Sequence, residues 1–419
     1  MANEPEKAVI VGLTADNMEQ RERSTEESLD ELEALLETAG GVCLCRALQN
    51  RRKVEPRSFI GDGKVKELKA LAEKYECKLA VFDNELSPSQ MRALTDDLEL
   101  RVIDRPSLIL DIFASRARTR EGRLQVELAQ YKYMLPRLTG MWKHLTKQTG
   151  TSAPIGTRGP GETQLETDRR HIRRKIAKLE EELIDVIRTR DTQRRLREKN
   201  NVAVVALVGY TNAGKSTLLN TLTGAGIQAE NRLFDTLDTT TRRLAVSDTQ
   251  EALLSDTVGF IRNLPRQFVD AFKATLEELK YADLLIHVID ASSPEWQEQV
   301  RVVDRLITEI GAGDTARIEA FNKCDLTMSE IHAHNENIVE ISAKTGQGID
   351  TLLKKIEEAL CAKSIKLALH IPYSKAALVE ALHREGVVAA ARYLEGGVEL
   401  DAVISPRLYS RVKEYIVRK

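Results

Sequence analysis

The sequence predicts a multidomain α/β protein, and three observations lead there. Strand-like and helix-like stretches alternate from Ala8 to about Ile112, the pattern of a mainly parallel sheet with helices on its faces. A second stretch changes to helical seams interrupted by glycine and proline. A third, Gly209-Tyr-Thr-Asn-Ala-Gly214-Lys215-Ser216, fits G-x-x-x-x-G-K-[ST] without departure and lies between an apolar run and a helix opening, the context that gives the pattern its meaning. At 419 residues the chain is too long for one ordinary core, so several domains are expected. Their boundaries are placed at 1–113, 114–200, 201–363 and 364–419.

In chain order, Ala8 to Leu13 reads as a strand, and Ser28 to Thr38 as a helix with Leu29, Leu32, Leu35 and Leu36 on one face before Gly40-Gly41. Val42 to Leu48, Leu79 to Phe82 and Arg101 to Ile103 continue as strands, with helices over Val65 to Tyr75 and Ser89 to Leu98. Gly61-Asp-Gly63-Lys64 reads as a turn and helix start, since it lacks a full phosphate-loop fingerprint. At the other end, Ile365 to Ile371 reads as a strand and Ser374 to Glu385 as a helix. Two strands flank Gly396-Gly397, and a final helix is expected from Pro406 to Val417, giving a small α+β unit.

Composition narrows the setting. The net charge of −2 names no partner for the molecule as a whole. Five cysteines without paired metal spacing favour a reduced compartment. The N-terminus lacks a signal-peptide pattern, and no apolar run approaches the roughly 20 residues of a membrane span. A cytoplasmic protein, monomeric and without a membrane partner, is the expectation.

The charge is unevenly distributed. Leu124, Leu128, Tyr131, Leu135, Leu138, Trp142 and Leu145 form one helical seam, kinked at Pro136, and Leu165, Ile172, Ile176, Leu179, Leu183 and Val186 form another. Thr149 to Gln164 is rich in glycine and proline and is expected to be a non-helical tip. The two seams then fold as an antiparallel hairpin. Residues 114–200 carry 21 Lys/Arg against 11 Asp/Glu, hence +10. A cationic arm of this kind suits a polyanion, and RNA is favoured over a merely solvated face. The candidate RNA contacts are Arg158, Gly159, Gly161 and Gln164 at the tip and Arg169, Arg170, Arg173 and Arg174 along the second helix.

The central domain supplies a phosphate site and a base site in order. Gly209, Tyr210, Thr211, Asn212, Ala213 and Gly214 would curl their N–H groups around phosphates, followed by Lys215, Ser216 and Thr217. Lys215 adds charge to the β/γ-phosphates, and the Ser216 hydroxyl suits Mg²⁺. Phe234, Asp235, Thr236, Leu237 and Asp238 form a mobile segment whose Thr236 would complete the Mg²⁺ shell, with Thr239, Thr240 and Thr241 as competitors. Asp256, Thr257, Val258 and Gly259 follow about 40 residues after the loop; Asp256 would hold Mg²⁺ through water and the Gly259 N–H would meet the γ-phosphate. Asn322, Lys323, Cys324 and Asp325 select the base: a carboxylate in its plane accepts from both N1–H and the 2-amino group of guanine, donors that adenine lacks. Ser342, Ala343 and Lys344 would offer an N–H to guanine O6. Together these stations predict a GTPase, with Lys215, Thr236 and Gly259 closest to the chemistry. Phe260 stands where Ras-like switches carry a water-orienting Gln, so slow intrinsic hydrolysis is expected. The Gly209-x-x-Asn212 spacing resembles GTPases in which that asparagine helps hold a potassium ion; Asn is also an ordinary turn former.

These motifs, with Phe59-Ile-Gly-Asp-Gly-Lys64, Leu108-Ile-Leu-Asp-Ile-Phe113, Leu124-Gln-Val-Glu-Leu-Ala-Gln130, Leu135-Pro-Arg-Leu138, Gly156 to Arg169 and Asp256 to Pro265, resemble the HflX family of ribosome-associated GTPases. The resemblance implies binding to the large ribosomal subunit, with the tip reaching RNA at the peptidyl-transferase region. It also implies a role in separating stalled or idle ribosomes under stress, and activity on ATP as well as GTP. Asp235 and Thr239 depart from the family's first-switch pattern, and Ser152-Ala-Pro replaces glycines of the tip. The reading is thus a Mg²⁺-dependent GTPase that grips the ribosome in its GTP state and lets go after hydrolysis. Its rivals are a ribosome-assembly or RNA-modification GTPase, an RNA-binding switch with negligible turnover, and a coiled-coil adaptor.

Overall fold

The computed structural model describes residues 5–19, 22–138, 160–199, 202–224, 233–234, 240–247, 250–264, 268, 276–327, 337–362, 365–385, 387–404 and 412–417. The chain forms two compact units: one within Met1–Arg188, Glu230–Asp238 and Ile261–Thr275, the other within Thr189–Ala229, Thr239–Phe260 and Leu276–Lys419.

The first unit opens with β1 (Glu6–Ala15), α1 (Glu26–Thr38), β2 (Gly41–Arg51), α2 (Asp62–Tyr75), β3 (Leu79–Phe82), α3 (Pro88–Leu98) and β4 (Arg101–Asp104). The four strands are parallel in the order β2-β1-β3-β4. Local chemistry sets the helix starts. Thr25 and Ser87 each build a capping box, and Pro88 sits in the first turn of α3, where its missing N–H costs nothing. The helix expected from Val65 begins three residues earlier, at Asp62, with Gly61 as its N-cap. α4 (Arg105–Arg116), capped by Asp104, and α5 (Arg120–Met134), capped by Thr119, lead into the hairpin.

At Pro136 the helix tightens to a 3₁₀ turn over Leu135–Arg137, the expected response to a missing donor. A buried polar cluster fixes this corner. The Tyr133 hydroxyl donates to Asp104 and accepts from Ser107 Oγ at 2.8 Å. Arg137 stacks 3.5 Å over the Tyr133 ring and donates to the Leu86 carbonyl at 3.0 Å. α6 (Pro160–Lys199) returns. It starts inside the stretch expected to be non-helical, because proline is favourable in a first helical turn. The rest of that tip, 149–159, lies outside the described residues, as do Trp142 and Leu145. Leu124, Leu128, Ile172, Leu179 and Leu183 are buried along the seam, and Lys132–Glu180 at 2.8 Å and Lys175–Glu127 at 3.4 Å cross it.

The second unit contains β5 (Ala203–Gly209), α7 (Lys215–Thr223), β6 (Thr240–Ser247), β7 (Gln250–Asp256), β8 (Leu284–Asp290), α8 (Trp296–Ile310), β9 (Arg317–Asn322), β10 (Ile338–Glu340) and α9 (Ile349–Ala362). The sheet order is β10-β9-β8-β5-β7-β6; all pairs are parallel except β6 with β7. Its central strands are near-continuous apolar runs, as burial on both faces requires. Thr240 and Thr241, considered as alternatives to Thr236, are paired in β6 opposite Asp256 and Ser255.

β11 (Ile365–Ile371), α10 (Ala376–Glu385), β12 (Val387–Leu394) and β13 (Gly397–Ile404) complete this unit as an antiparallel sheet ordered β11-β13-β12. Of the helix expected from Pro406 to Val417, only the end from Val412 is described. Residues 405–411 lie outside the described set, and Lys413–Tyr415 form only a 3₁₀ turn. Ile416 then bridges to Leu369, and the Val417 N–H donates to the Ala368 carbonyl at 2.9 Å. Val412, Tyr415 and Ile416 pack against the sheet.

Candidate nucleotide-binding site

The phosphate loop starts where β5 ends. A Cβ on Gly209 would lie 2.3 Å from the Val288 carbonyl oxygen, so only glycine allows the loop to leave this close to β8. Asn212 takes the left-handed region at φ +60, and Gly214 follows at φ +94. A Cβ on Gly214 would sit 2.2 Å from Asn322 Nδ2. Gly214 caps α7 without a side-chain bond, and a helix start reached through a glycine-rich loop is the kind of place that receives an anion.

Lys215 is buried, and its Nζ donates to the carbonyls of Gly209 at 3.2 Å and Tyr210 at 2.8 Å. Burial pushes its pKa down to about 8, opposed by the nearby Asp256 carboxylate. Ser216 Oγ donates to Asp256 Oδ2 at 2.9 Å. Thr257 Oγ1 donates to the Leu207 carbonyl at 2.6 Å and ties β7's exit to β5. A Cβ on Gly259 would come within 2.9 Å of Thr211 Cγ2 and 3.0 Å of Lys215 Nζ, so this backbone passes directly over the loop. Phe260 is wholly buried; its N–H donates to the Gly209 carbonyl at 3.1 Å, and its own carbonyl accepts from the Thr211 N–H at 2.7 Å. The phenylalanine that replaces a polar switch residue therefore pins the D-x-x-G segment to the phosphate loop.

Asn322, at the end of β9, joins two loops through one buried amide. Its Nδ2 donates to the Ala213 carbonyl at 2.8 Å, and its Oδ1 accepts from the Ala343 N–H at 2.8 Å. The Ala343 carbonyl accepts in turn from Thr221 Oγ1 at 2.6 Å. Ser342 is buried, with its Oγ accepting from the Thr345 N–H; Lys344 and Asp325 are exposed. Lys323 holds a left-handed φ of +65 and donates to Asp290 Oδ2 at 2.6 Å, while the Cys324 N–H donates to the Ile341 carbonyl at 3.2 Å. The structure thus brings together Gly209 to Thr217, Asp256 to Gly259, Asn322 to Asp325 and Ser342 to Lys344. Sequence reasoning gave no part to Thr221 or Asp290. Neither belongs to a motif whose spacing would single it out.

Asp235, Thr236, Leu237, Asp238 and Thr239 lie outside the described residues, as do Arg158 and Gly159. Phe234 is buried, its ring edge-on to Phe113 of α4 at 4.5 Å; Phe268 stacks on the same Phe113 at 4.2 Å. Gly161 and Gln164 fall in the first turns of α6. Arg169, Arg170, Arg173 and Arg174 follow on the same helix. Arg173 lies 3.9 Å from Glu166, whereas Arg170 and Arg174 are exposed with no acidic partner among the described residues.

The order and spacing of these loops match known families along the whole chain. Family models described as GTP-binding GTPase N-terminal, GTP-binding GTPase Middle Region, 50S ribosome-binding GTPase and HflX C-terminal domain match residues 26–114, 116–197, 204–323 and 327–412. A GTPase HflX from Caldanaerobacter subterraneus is 43% identical over 417 residues, covering 100% of this chain and 95% of the relative. The chain belongs to the HflX family of GTPases. A GTPase HflX from Escherichia coli K12 is 44% identical over 352 residues, 83% of this chain and 82% of the relative. Among solved structures, a GTP-binding protein from the archaeon Sulfolobus solfataricus in complex with GDP is similar over 84% of this chain and 98% of that chain, at 24% identity and a TM-score of 0.45. As a member of the HflX family the protein is a GTPase of a ribosome-associated family. Among the described residues no helix is long and apolar enough to cross a membrane.

Proposed function

We propose that this HflX GTPase binds the large ribosomal subunit through its basic hairpin when GTP is bound, takes part in splitting or rescuing ribosomes, and is released by hydrolysis. In this reading Gly209 to Thr217 cradle the phosphates, Asp325 reads guanine, and the Ala343 N–H meets its O6. The Ser216 hydroxyl and Asp256 carboxylate converge at 2.9 Å, a hard-oxygen pair that suits Mg²⁺. Ser216 would hold the ion directly, Asp256 through water, and Thr236 in the GTP state; Mg²⁺ supplies neutralisation of phosphate charge. Lys215, already desolvated, gives its charge to the phosphates rather than to bulk water. A potassium ion at Asn212 belongs to the same reading, and equal turnover in sodium and potassium buffers removes it.

The observation that carries the switch is the seating of Phe234 and Phe268 on Phe113. In the chain Phe234 directly precedes Asp235-Thr236 and Phe268 follows Gly259 by nine residues, while Phe113 lies near the end of α4, just before the hairpin. In this reading, ordering of those segments around a γ-phosphate is transmitted along the chain to the rings packed on Phe113. Sedimentation with purified large subunits tests the reading: strong co-pelleting with a non-hydrolysable GTP analogue and weak co-pelleting with GDP is expected. Equal pelleting in both states removes the switch. Selective capture of assembly intermediates moves the function to subunit biogenesis.

A further inference from the structure

Asp290 is the last residue of β8 and pairs in register with Asn322, so its carboxylate stands beside the loop that follows β9. It is nearly enclosed, at 15% side-chain exposure. One oxygen, Oδ1, accepts from the Ser292 N–H at 3.0 Å and the Ser292 hydroxyl at 2.6 Å, closing a local turn. The other, Oδ2, accepts from Lys323 Nζ at 2.6 Å. Lys323 is also the residue that adopts the left-handed φ of +65 between Asn322 and Cys324, a conformation a non-glycine residue holds only when its surroundings fix it. An ion pair this short and this shielded from water holds a side chain far better than an exposed one.

We propose that Asp290 is a positioning residue for guanine-nucleotide binding: it anchors the Lys323 ammonium, and through Lys323 it fixes the turn that presents Asp325. The proposal rests on Asn322 to Asp325 being the base-reading loop. Oδ1 belongs to the turn of its own strand end, and Oδ2 belongs to Lys323. The two jobs are therefore separable. Asp290→Asn keeps an oxygen for Ser292 and replaces the acceptor facing Lys323 with an amide donor.

The test is a fluorescent-GDP titration with stopped-flow dissociation and steady-state GTP turnover, on the full chain, for Asp290→Asn, Lys323→Gln, their double variant, Ser292→Ala and Asp325→Asn. Asp290→Asn is expected to weaken GDP binding about tenfold, through faster dissociation, while turnover at saturating GTP stays within about twofold. It should add almost nothing to Lys323→Gln, since partners in one interaction do not add. Ser292→Ala should leave affinity nearly unchanged, and Asp290→Glu should restore part of the loss. Full additivity with Lys323→Gln, or unchanged GDP dissociation in Asp290→Asn, overturns the proposal. If Asp325→Asn also leaves guanine affinity intact, the base-reading assignment itself has failed; if it weakens affinity while Asp290→Asn does not, only the role of Asp290 has failed.

Discussion

Asn322→Ala is the most informative single change. The side chain is 3% exposed and makes two bonds of 2.8 Å, to the Ala213 carbonyl and the Ala343 N–H. Truncation leaves both backbone groups without that partner, at about 1–3 kcal/mol each, so a total of roughly 2–6 kcal/mol is expected. Both bonds exist in this structure before any ligand is considered, so most of the loss should appear as stability. A melting point lowered by about 5–15 °C follows for a domain of this size. GDP affinity should fall as well, because the phosphate loop and the Ser342 to Lys344 loop lose their common staple. Gly214→Ala sharpens the test. Its new Cβ would stand 2.2 Å from Asn322 Nδ2 in the parent but meet open space in Asn322→Ala, leaving only the strain of φ +94. Gly214→Ala should therefore cost less in the Asn322→Ala background. Circular-dichroism melts and fluorescent-GDP titrations of the four proteins measure both quantities. Asn322→Ala melting within a degree of the parent, or identical costs of Gly214→Ala in both backgrounds, refutes the staple.

Three further outcomes follow. Lys215 has its pKa lowered from an ordinary 10.5 to about 8 by burial, so the free protein is penalised for holding its ammonium; that penalty is complete below about pH 8 and disappears as pH rises past 10.5. A phosphate ligand restores the ammonium, so GDP binding at pH 8.5 should take up about three-quarters of a proton, read by calorimetry in buffers of different ionisation enthalpy; zero uptake contradicts this. Tyr133→Phe removes the buried hydroxyl shared by Asp104 and Ser107 and should destabilise the N-terminal unit by about 1–3 kcal/mol in denaturant titrations, with GDP affinity unchanged. Lys175→Ala breaks a pair whose side chains are 45% and 44% exposed; its effect on the melting point should be within error, as for most exposed pairs.

The phosphate loop was readable because its mechanism admits few residue types: glycine at 209 is forced by the Val288 carbonyl and at 214 by Asn322. The parallel N-terminal sheet was readable from apolar runs and capping residues such as Thr25 and Ser87. Asn322 was visible as part of a motif, but its bridge between Ala213 and Ala343 joins residues far apart in the chain. Phe260 was read for the polar group it lacks, whereas its contribution lies in backbone bonds that any residue could make. Of the segment from Pro406, residues up to 411 lie outside the described residues, and its end is held by the Ile416 bridge to Leu369, a long-range pairing that apolar spacing alone does not reveal. Strand β6 was missed because its threonines looked like a switch loop, although β-branched residues equally favour a strand.

In the proposed reading the hairpin is the part on which ribosome binding depends, and Arg170 and Arg174 are two of its exposed cations with no acidic partner among the described residues. The most direct measurement is the salt dependence of large-subunit binding, in the GTP-analogue state, for the parent and for Arg170→Glu with Arg174→Glu. The reading predicts affinity that falls steeply with salt in the parent, and a weaker, shallower dependence in the variant, with the slope reduced by about two phosphate contacts. Identical affinity and slope for the two proteins would contradict it.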